Sequence, residues 1–152
     1  NQNERNLFLK YLEEKFKIIH PQDWDLMNWN DIRYCAEQGI DIGSHTMTHN
    51  SLLTIKNKEI LQYEIAESKS TIEKNINKSI DTIAFPNGLF NNDCIQLATE
   101  VNYKYLLTSN QILFKRNIIN KEFPLIIPRI SININDRNEN MLRMENFHNL
   151  SR

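Results

Sequence analysis

The sequence predicts an α/β fold with a mainly parallel sheet, and three observations point there. Short apolar runs at 40–42, 81–85 and 103–108 alternate with stretches of helical period. The first run ends at Gly43 and the second in Pro86-Asn87-Gly88, which is turn chemistry because Pro fixes φ and Gly permits positive φ. A pair of histidines stands directly after the first run, where an α/β sheet carries its sites, outside the strand's carboxyl end.

In chain order, Leu7, Phe8, Tyr11, Leu12 and Phe16 recur at helical spacing and predict an amphipathic helix over 4–17, ended by Pro21. Residues 22–28 read as a loop holding Asp23-Trp24-Asp25. Paired acids there suit metal or acid–base work, although an Asp before a helix is ordinarily a cap. A second helix is predicted from Asn30 as N-cap to Gly39 as stop, with Trp29 as a hydrophobic staple. The run Ile40–Ile42 follows as a buried strand, and Leu52 and Leu53 are expected to anchor the next loop. The longest helix should cover 57–75 with Leu61, Ile65, Ser68, Ile72 and Ile76 inward and Glu64, Glu67, Lys69, Glu73 and Lys74 on other faces. A strand at 81–85, a helix capped by Asn91 or Asn92, and a strand at 103–108 come next. Beyond a polar excursion at 109–123, the run 125–132 suits an edge strand because Pro128 interrupts it. Residues 139–150 suit a closing helix, with His148 as a surface residue.

Composition removes several function classes. A length of 152 residues predicts one domain, or most of one, able to bury a core. Lys plus Arg number 18 against 19 Asp plus Glu, which leaves no broad basic surface for nucleic acid or for a membrane. No apolar run approaches the roughly 18 residues of a membrane span. The start at Asn1–Arg5 is not a signal peptide and lacks an initiator Met, so an N-terminally incomplete chain is expected and the compartment, cytoplasm or cell envelope, stays open. Cys35 and Cys94 lack a CxxC spacing and read as free thiols.

His45 and His49 are the candidate metal ligands. A spacing of four would set both imidazoles on one side of a helical turn, and two converging neutral nitrogens are what a divalent ion with open positions needs. A pair of surface histidines on a loop is the plain alternative. Arg129 inside an apolar run calls for a carboxylate partner or an exit to solvent.

These residues carry a resemblance. The stretch Gly39-Ile-Asp-Ile-Gly-Ser-His-Thr-Met-Thr-His49, followed by Leu52, resembles the metal-binding motif of the polysaccharide deacetylases, the NodB-homology or carbohydrate esterase family 4 group. Residues 29–39 and 64–76 resemble the helices on either side of that motif. Ala84-Phe85-Pro86-Asn87-Gly88 is similar to the family's aromatic-Pro-x-Gly turn. Pro128-Arg129-Ile130 resembles a late strand of the exopolysaccharide and O-antigen branch. The likeness runs over about residues 28–132 of a single domain, 1–152.

The resemblance implies a distorted, partial (β/α) barrel of NodB-homology type, missing its first strand. It implies hydrolysis of the acetamide C–N bond of N-acetylated sugars in a polysaccharide or oligosaccharide, with a divalent metal, zinc before others. His45 and His49 would be ligands, the backbone N–H of Asn87 an oxyanion donor, and Phe85, Pro86, Asn87 and Gly88 the substrate groove. The family's Thr-Phe-Asp-Asp-Gly motif, source of its base and its Asp ligand, occurs nowhere in this chain, and its Leu-x-His motif has no match. Ala84 stands where the family has an Arg, which leaves Arg129 as the candidate for orienting a carboxylate. Three readings therefore stay open: a deacetylase whose present chain is inactive by itself, a degenerate carbohydrate-binding relative, and a metal-dependent hydrolase completed by a partner chain. An exposed sheet edge also makes homo-oligomers an expectation.

Overall fold

The computed structural model describes residues 2–16, 26–109 and 123–131, together with Asn138, Asn140 and Met141. Asp23-Trp24-Asp25, most of the polar excursion, most of the closing helix and His148 lie outside the described residues.

Helix α1 (Gln2–Phe16) comes first, with Leu7, Phe8 and Tyr11 of its apolar stripe exposed. Helix α2 (Trp29–Glu37) starts two residues before the expected point, because Asn28 and not Asn30 is the N-cap. The Asn28 side chain accepts from the backbone N–H of Asn30 at 2.8 Å and of Asp31 at 3.3 Å, and Asp31 Oδ2 accepts from the Asn28 N–H at 2.9 Å. That reciprocal box needs an acceptor at the third helical position. Asn30 as cap would put Arg33, a pure donor, in its place. Trp29 is consequently the first helical residue and not a staple before the cap. The helix ends as expected at Gly39, with φ of 85°. Ile40 N–H reaches Cys35 O at 3.0 Å and Gly39 N–H reaches Ala36 O at 3.3 Å, which is the Schellman closure.

The run Ile40–Ile42 forms no strand. Only Ser44 bridges to Ile83, in parallel sense, and Ile40 is 54% exposed. Alternation in a sequence shows that a segment can lie on a sheet, but a ladder also needs a neighbouring segment in register along several residues. Here backbone pairing with the sheet is confined to Ser44.

The predicted long helix is present in three consecutive parts: α3 (Lys58–Gln62), a π-helical turn (Tyr63–Glu67) and α4 (Ser68–Ile76). Asn57 caps its start with bonds from Glu59 N–H at 2.8 Å and Ile60 N–H at 3.3 Å. Leu61, Ile65, Ser68 and Ile76 are buried, as the stripe predicted. Glu64 departs from expectation: it is only 1% exposed. Asn77, at φ 51°, stops α4 in the left-handed region. Leu52 is fully buried, while Leu53 is half exposed and anchors nothing.

Strands β1 (Thr82–Ala84), β2 (Tyr105–Thr108) and β3 (Leu125–Pro128) form a parallel sheet in that order. Ile83 pairs with Leu106, and Thr108 pairs with Pro128. Helix α5 (Asn92–Glu100) makes the crossover between β1 and β2, capped by Asn91 and closed by Asn102 at φ 63° in a second Schellman motif, Tyr103 N–H to Ala98 O at 2.8 Å and Asn102 N–H to Thr99 O at 3.0 Å. Ile83 and Leu106 of the sheet, with Phe85 just after β1, meet Leu52, Leu61, Ile65, Ala98 and Tyr103 in one core, which fixes the carboxyl ends of the strands at one rim. Both cysteines are free thiols, Cys94 buried within that core. Among the described residues no helix is long and apolar enough to cross a membrane.

Candidate functional site: a histidine pair at the carboxyl rim

Ser44 seats the site on the sheet. Its N–H donates to Thr82 O at 2.9 Å, its carbonyl accepts from Ala84 N–H at 2.8 Å, and its buried hydroxyl lies 2.8 Å from that of Ser68. The next residue, His45, sets its ring Nδ1 at 2.7 Å from Ala84 O. A carbonyl only accepts, so Nδ1 carries the proton and Nε2 keeps its lone pair. A backbone carbonyl holding one ring nitrogen is the usual way a ligating imidazole is fixed in tautomer and aim.

The chain then turns back without forming a helical turn. Thr46 and His49 both adopt left-handed backbone conformations, with φ of 68° and 57°. Thr46 N–H donates to Ser44 Oγ at 3.2 Å and His49 N–H to Thr46 Oγ1 at 3.2 Å. The two imidazoles still converge: their ring centroids lie 4.8 Å apart at 79°. The expected convergence is present, then, but by a different route from the predicted helical spacing. The intrahelical bonds such a turn needs are replaced by bonds to side chains, chiefly to Glu64, which takes the Met47 N–H at 3.0 Å and the Thr48 N–H at 2.9 Å. Both histidines are exposed to solvent, while Glu64 beneath the loop is not.

The turn after β1 adjoins this pair, because Ala84 holds His45 and Pro86 follows two residues on. Pro86–Gly88 is a single 3₁₀ turn with Asn87 at φ 55° and Gly88 at φ 67°. A side chain on Gly88 would meet Ser109 Oγ at 2.1 Å and Ser109 N at 2.4 Å, so only glycine fits. Ser109 Oγ in turn donates to Asn87 O at 2.7 Å. Of the four groove residues named from the sequence, Asn87 alone is exposed. Phe85 is fully buried and stacks on Phe90 at 5.0 Å between centroids, so its part is to hold the turn from the core. Arg129 lies at the carboxyl end of β3, its N–H and Nε both donating to Thr108 O, at 3.1 and 3.2 Å. Three sheet spacings of roughly 4.8 Å, about 14 Å in all, separate that strand from the Ser44 segment. No cluster of three or more His, Cys, Asp or Glu side chains placed to hold a metal occurs among the described residues.

Residues 11–106 match the family model for polysaccharide deacetylase. The chain belongs to the polysaccharide deacetylase family. The match begins earlier than the histidine motif's flanking helix and ends within β2, so it takes in His45, His49 and the Phe85–Gly88 turn but not Arg129. Solved structures agree on the fold. The deacetylase PplD of Streptococcus pyogenes, in complex with acetate, superposes with a TM-score of 0.67 at 24% identity, over 81% of this chain and 52% of that one. A polysaccharide deacetylase from Bacillus cereus gives 0.65 at 22%, over 81% and 38%. The de-N-acetylase of Aggregatibacter actinomycetemcomitans gives 0.63 at 18%, over 83% and 58%. The chain therefore spans a little over half of two of these structures and less of the third, a partial deacetylase fold with a small parallel sheet. A comparison with curated proteins found no match.

The residue that sequence reasoning missed is Glu64. It falls three residues after Leu61 and four before Ser68, squarely on the buried stripe. A carboxylate in that position must find donors, and the nearest rich source is the Ser/Thr/Asn loop around the histidines.

Proposed function

We propose that this deacetylase-family chain provides the histidine and oxyanion part of a divalent-metal-dependent deacetylase acting on N-acetylated sugars of a polysaccharide. The observation that carries the reading is the histidine pair: two rings 4.8 Å apart, with the His45 tautomer set by Ala84 O so that Nε2 is available. His45 and His49 would hold the ion, and zinc suits two imidazoles with open positions. Bound there, such an ion would polarise an acetamide carbonyl and lower the pKa of water beside it. Asn87 is exposed, and among the described residues no acceptor meets its N–H. That N–H suits the oxyanion of acyl transfer, and Gly88 and Ser109 fix the turn that presents it. Arg129, at the carboxyl end of β3 with its Nε on Thr108 O, remains the candidate for orienting a carboxylate. The family's base and third ligand belong to an Asp-Asp motif that these 152 residues lack. In this reading a further segment or a partner chain contributes them, and the present chain alone releases no acetate above background from N-acetylglucosamine oligomers.

Zinc titration by calorimetry tests the metal reading. The wild-type chain should bind zinc weakly, and the His45→Ala/His49→Ala variant should lose more than the roughly 10–100-fold that outer-shell partners alone cost. Identical titrations for the two proteins would remove the metal site. Acetate release at ordinary enzyme rates from the chain alone would refute the proposed division of the catalytic machinery.

A further inference from the structure

We infer that Glu64 is a positioning residue that sets His49 against His45. The residue is 1% exposed, and its carboxylate collects four donors from one short loop. Oε2 accepts the N–H groups of Met47 and Thr48 at 3.0 and 2.9 Å, and Oε1 accepts the Thr48 hydroxyl and the Asn50 side-chain amide. All four donors are neutral, so a buried charge is satisfied by hydrogen bonds alone, which are stronger for the charge. Every one of them comes from the residues that bracket His49.

The two histidines are thus held from different elements. His45 is fixed from the sheet, through the Ser44 bridge to Thr82 and Ala84 and through its own ring bond to Ala84 O. His49 has no bond to the sheet among the described residues. Its backbone sits in the left-handed region, as does that of Thr46, a β-branched residue for which that region is costly. Such a loop keeps its shape only where its surroundings over-determine it, and Glu64 supplies the larger part of that determination. The carboxylate rises from the π-helical turn Tyr63–Glu67, whose extra residue lets Glu64 and Ile65 both face inward. The helix thereby contributes a packing residue to the core and an anchor to the site from adjacent positions.

The consequence for metal binding rests on the proposed function above; the consequence for loop geometry does not, and the test separates them. Glu64→Met keeps length and apolar packing but removes all acceptors. Glu64→Gln keeps one acceptor oxygen for the two backbone N–H groups, and its amide can donate to Thr48 Oγ1 and to a reoriented Asn50. In metal-free protein, nitrogen-detected NMR of the imidazoles should show the His49 signals shifted or broadened in Glu64→Met, with His45 still protonated on Nδ1. Glu64→Gln should restore most of the wild-type His49 signals. Zinc affinity should fall by about 10- to 100-fold in Glu64→Met, the range for a lost outer-shell partner, and recover in Glu64→Gln. A folded, cooperatively melting Glu64→Met with wild-type His49 signals would overturn the inference, as would equal disturbance of both histidines. If Glu64→Met does not fold, the loop-side pair Thr48→Val/Asn50→Ala removes the Oε1 donors. It should disturb His49 selectively, and an undisturbed His49 would overturn the inference in the same way. A selective His49 change with no zinc binding by any variant would uphold the positioning role and remove the metal reading.

Discussion

Replacing Gly88 with alanine isolates how tightly the turn beside the histidines is built. Two costs add there. An L-residue at φ 67° pays the left-handed penalty of about 1–2 kcal/mol, reduced by the roughly 0.4–1 kcal/mol gained from a stiffer unfolded chain. The new Cβ would also stand 2.1 Å from Ser109 Oγ and 2.4 Å from Ser109 N. Gly39→Ala supplies the control, because Gly39 is at φ 85° with nothing within 4 Å of the added atom. The conformational term is common to both, so the difference between the two variants measures the clash, about 1–3 kcal/mol by the usual cost of overpacking. For a chain of this size that is a gap of roughly 2–12 °C in melting temperature. Urea unfolding followed by circular dichroism reads the same gap. Ser109→Ala added to Gly88→Ala should recover only part of the loss, since the hydroxyl can leave but the backbone amide cannot. Equal destabilisation of Gly39→Ala and Gly88→Ala, or full recovery in the double variant, would refute the argument.

Two further expectations concern titration and reactivity. Burial, with the charge of Glu73 adding to it, raises the pKa of Tyr103 above its ordinary value. The folded state therefore keeps this proton longer than the unfolded one: stability is intact below a pH of about 10 and declines as the pH rises beyond it. Tyr103→Phe should make the alkaline decline shallower in denaturant titrations, and an unchanged slope would contradict this. Burial likewise pushes the Cys94 thiol up, with Asp93 adding to it, and Cys94 is fully enclosed whereas Cys35 is partly open. A thiol reagent should label Cys35 in native protein and Cys94 only on unfolding; simultaneous labelling of both would contradict the packing.

What the sequence disclosed was whatever repeats locally. The long helix, the crossover helix and the parallel strands have periods that survive without knowledge of neighbours, and the apolar members of the long helix's buried stripe were legible from them. The cap of α2 was legible only in part. Asn28 and Asn30 are equal as side chains, and the choice falls to Asp31, an acceptor three positions after the first but not the second. Ile40–Ile42 failed for a different reason: its alternation is sound, but strand formation belongs to pairs of segments, and the one isolated bridge near it among the described residues is made by Ser44, beyond the run. At the site, the ligand types were readable and their geometry was not. Spacing implied a helical turn, whereas the shape of the Thr46–His49 loop is decided by a carboxylate 14 to 17 residues away. That carboxylate is placed off the inward face when the stripe is traced through apolar residues and Ser68 alone.

The chain holds three glycines, yet it turns left-handed at Asn77, Asn87 and Asn102 as well as at Gly39 and Gly88. Asparagine reaches that region at a modest enthalpic cost because its short amide can bond locally. Unlike glycine, it does not enlarge the set of conformations available to the unfolded chain. Two helix stops and the rim turn are consequently made by residues that surrender less entropy on ordering. Exchanging any of the three for glycine would relieve strain in the native state and loosen the denatured state at once, two effects of opposite sign. The ends of α4 and α5 are thus closed by partial preorganisation of the unfolded chain, whereas α2, which stops at Gly39, relies on its native contacts.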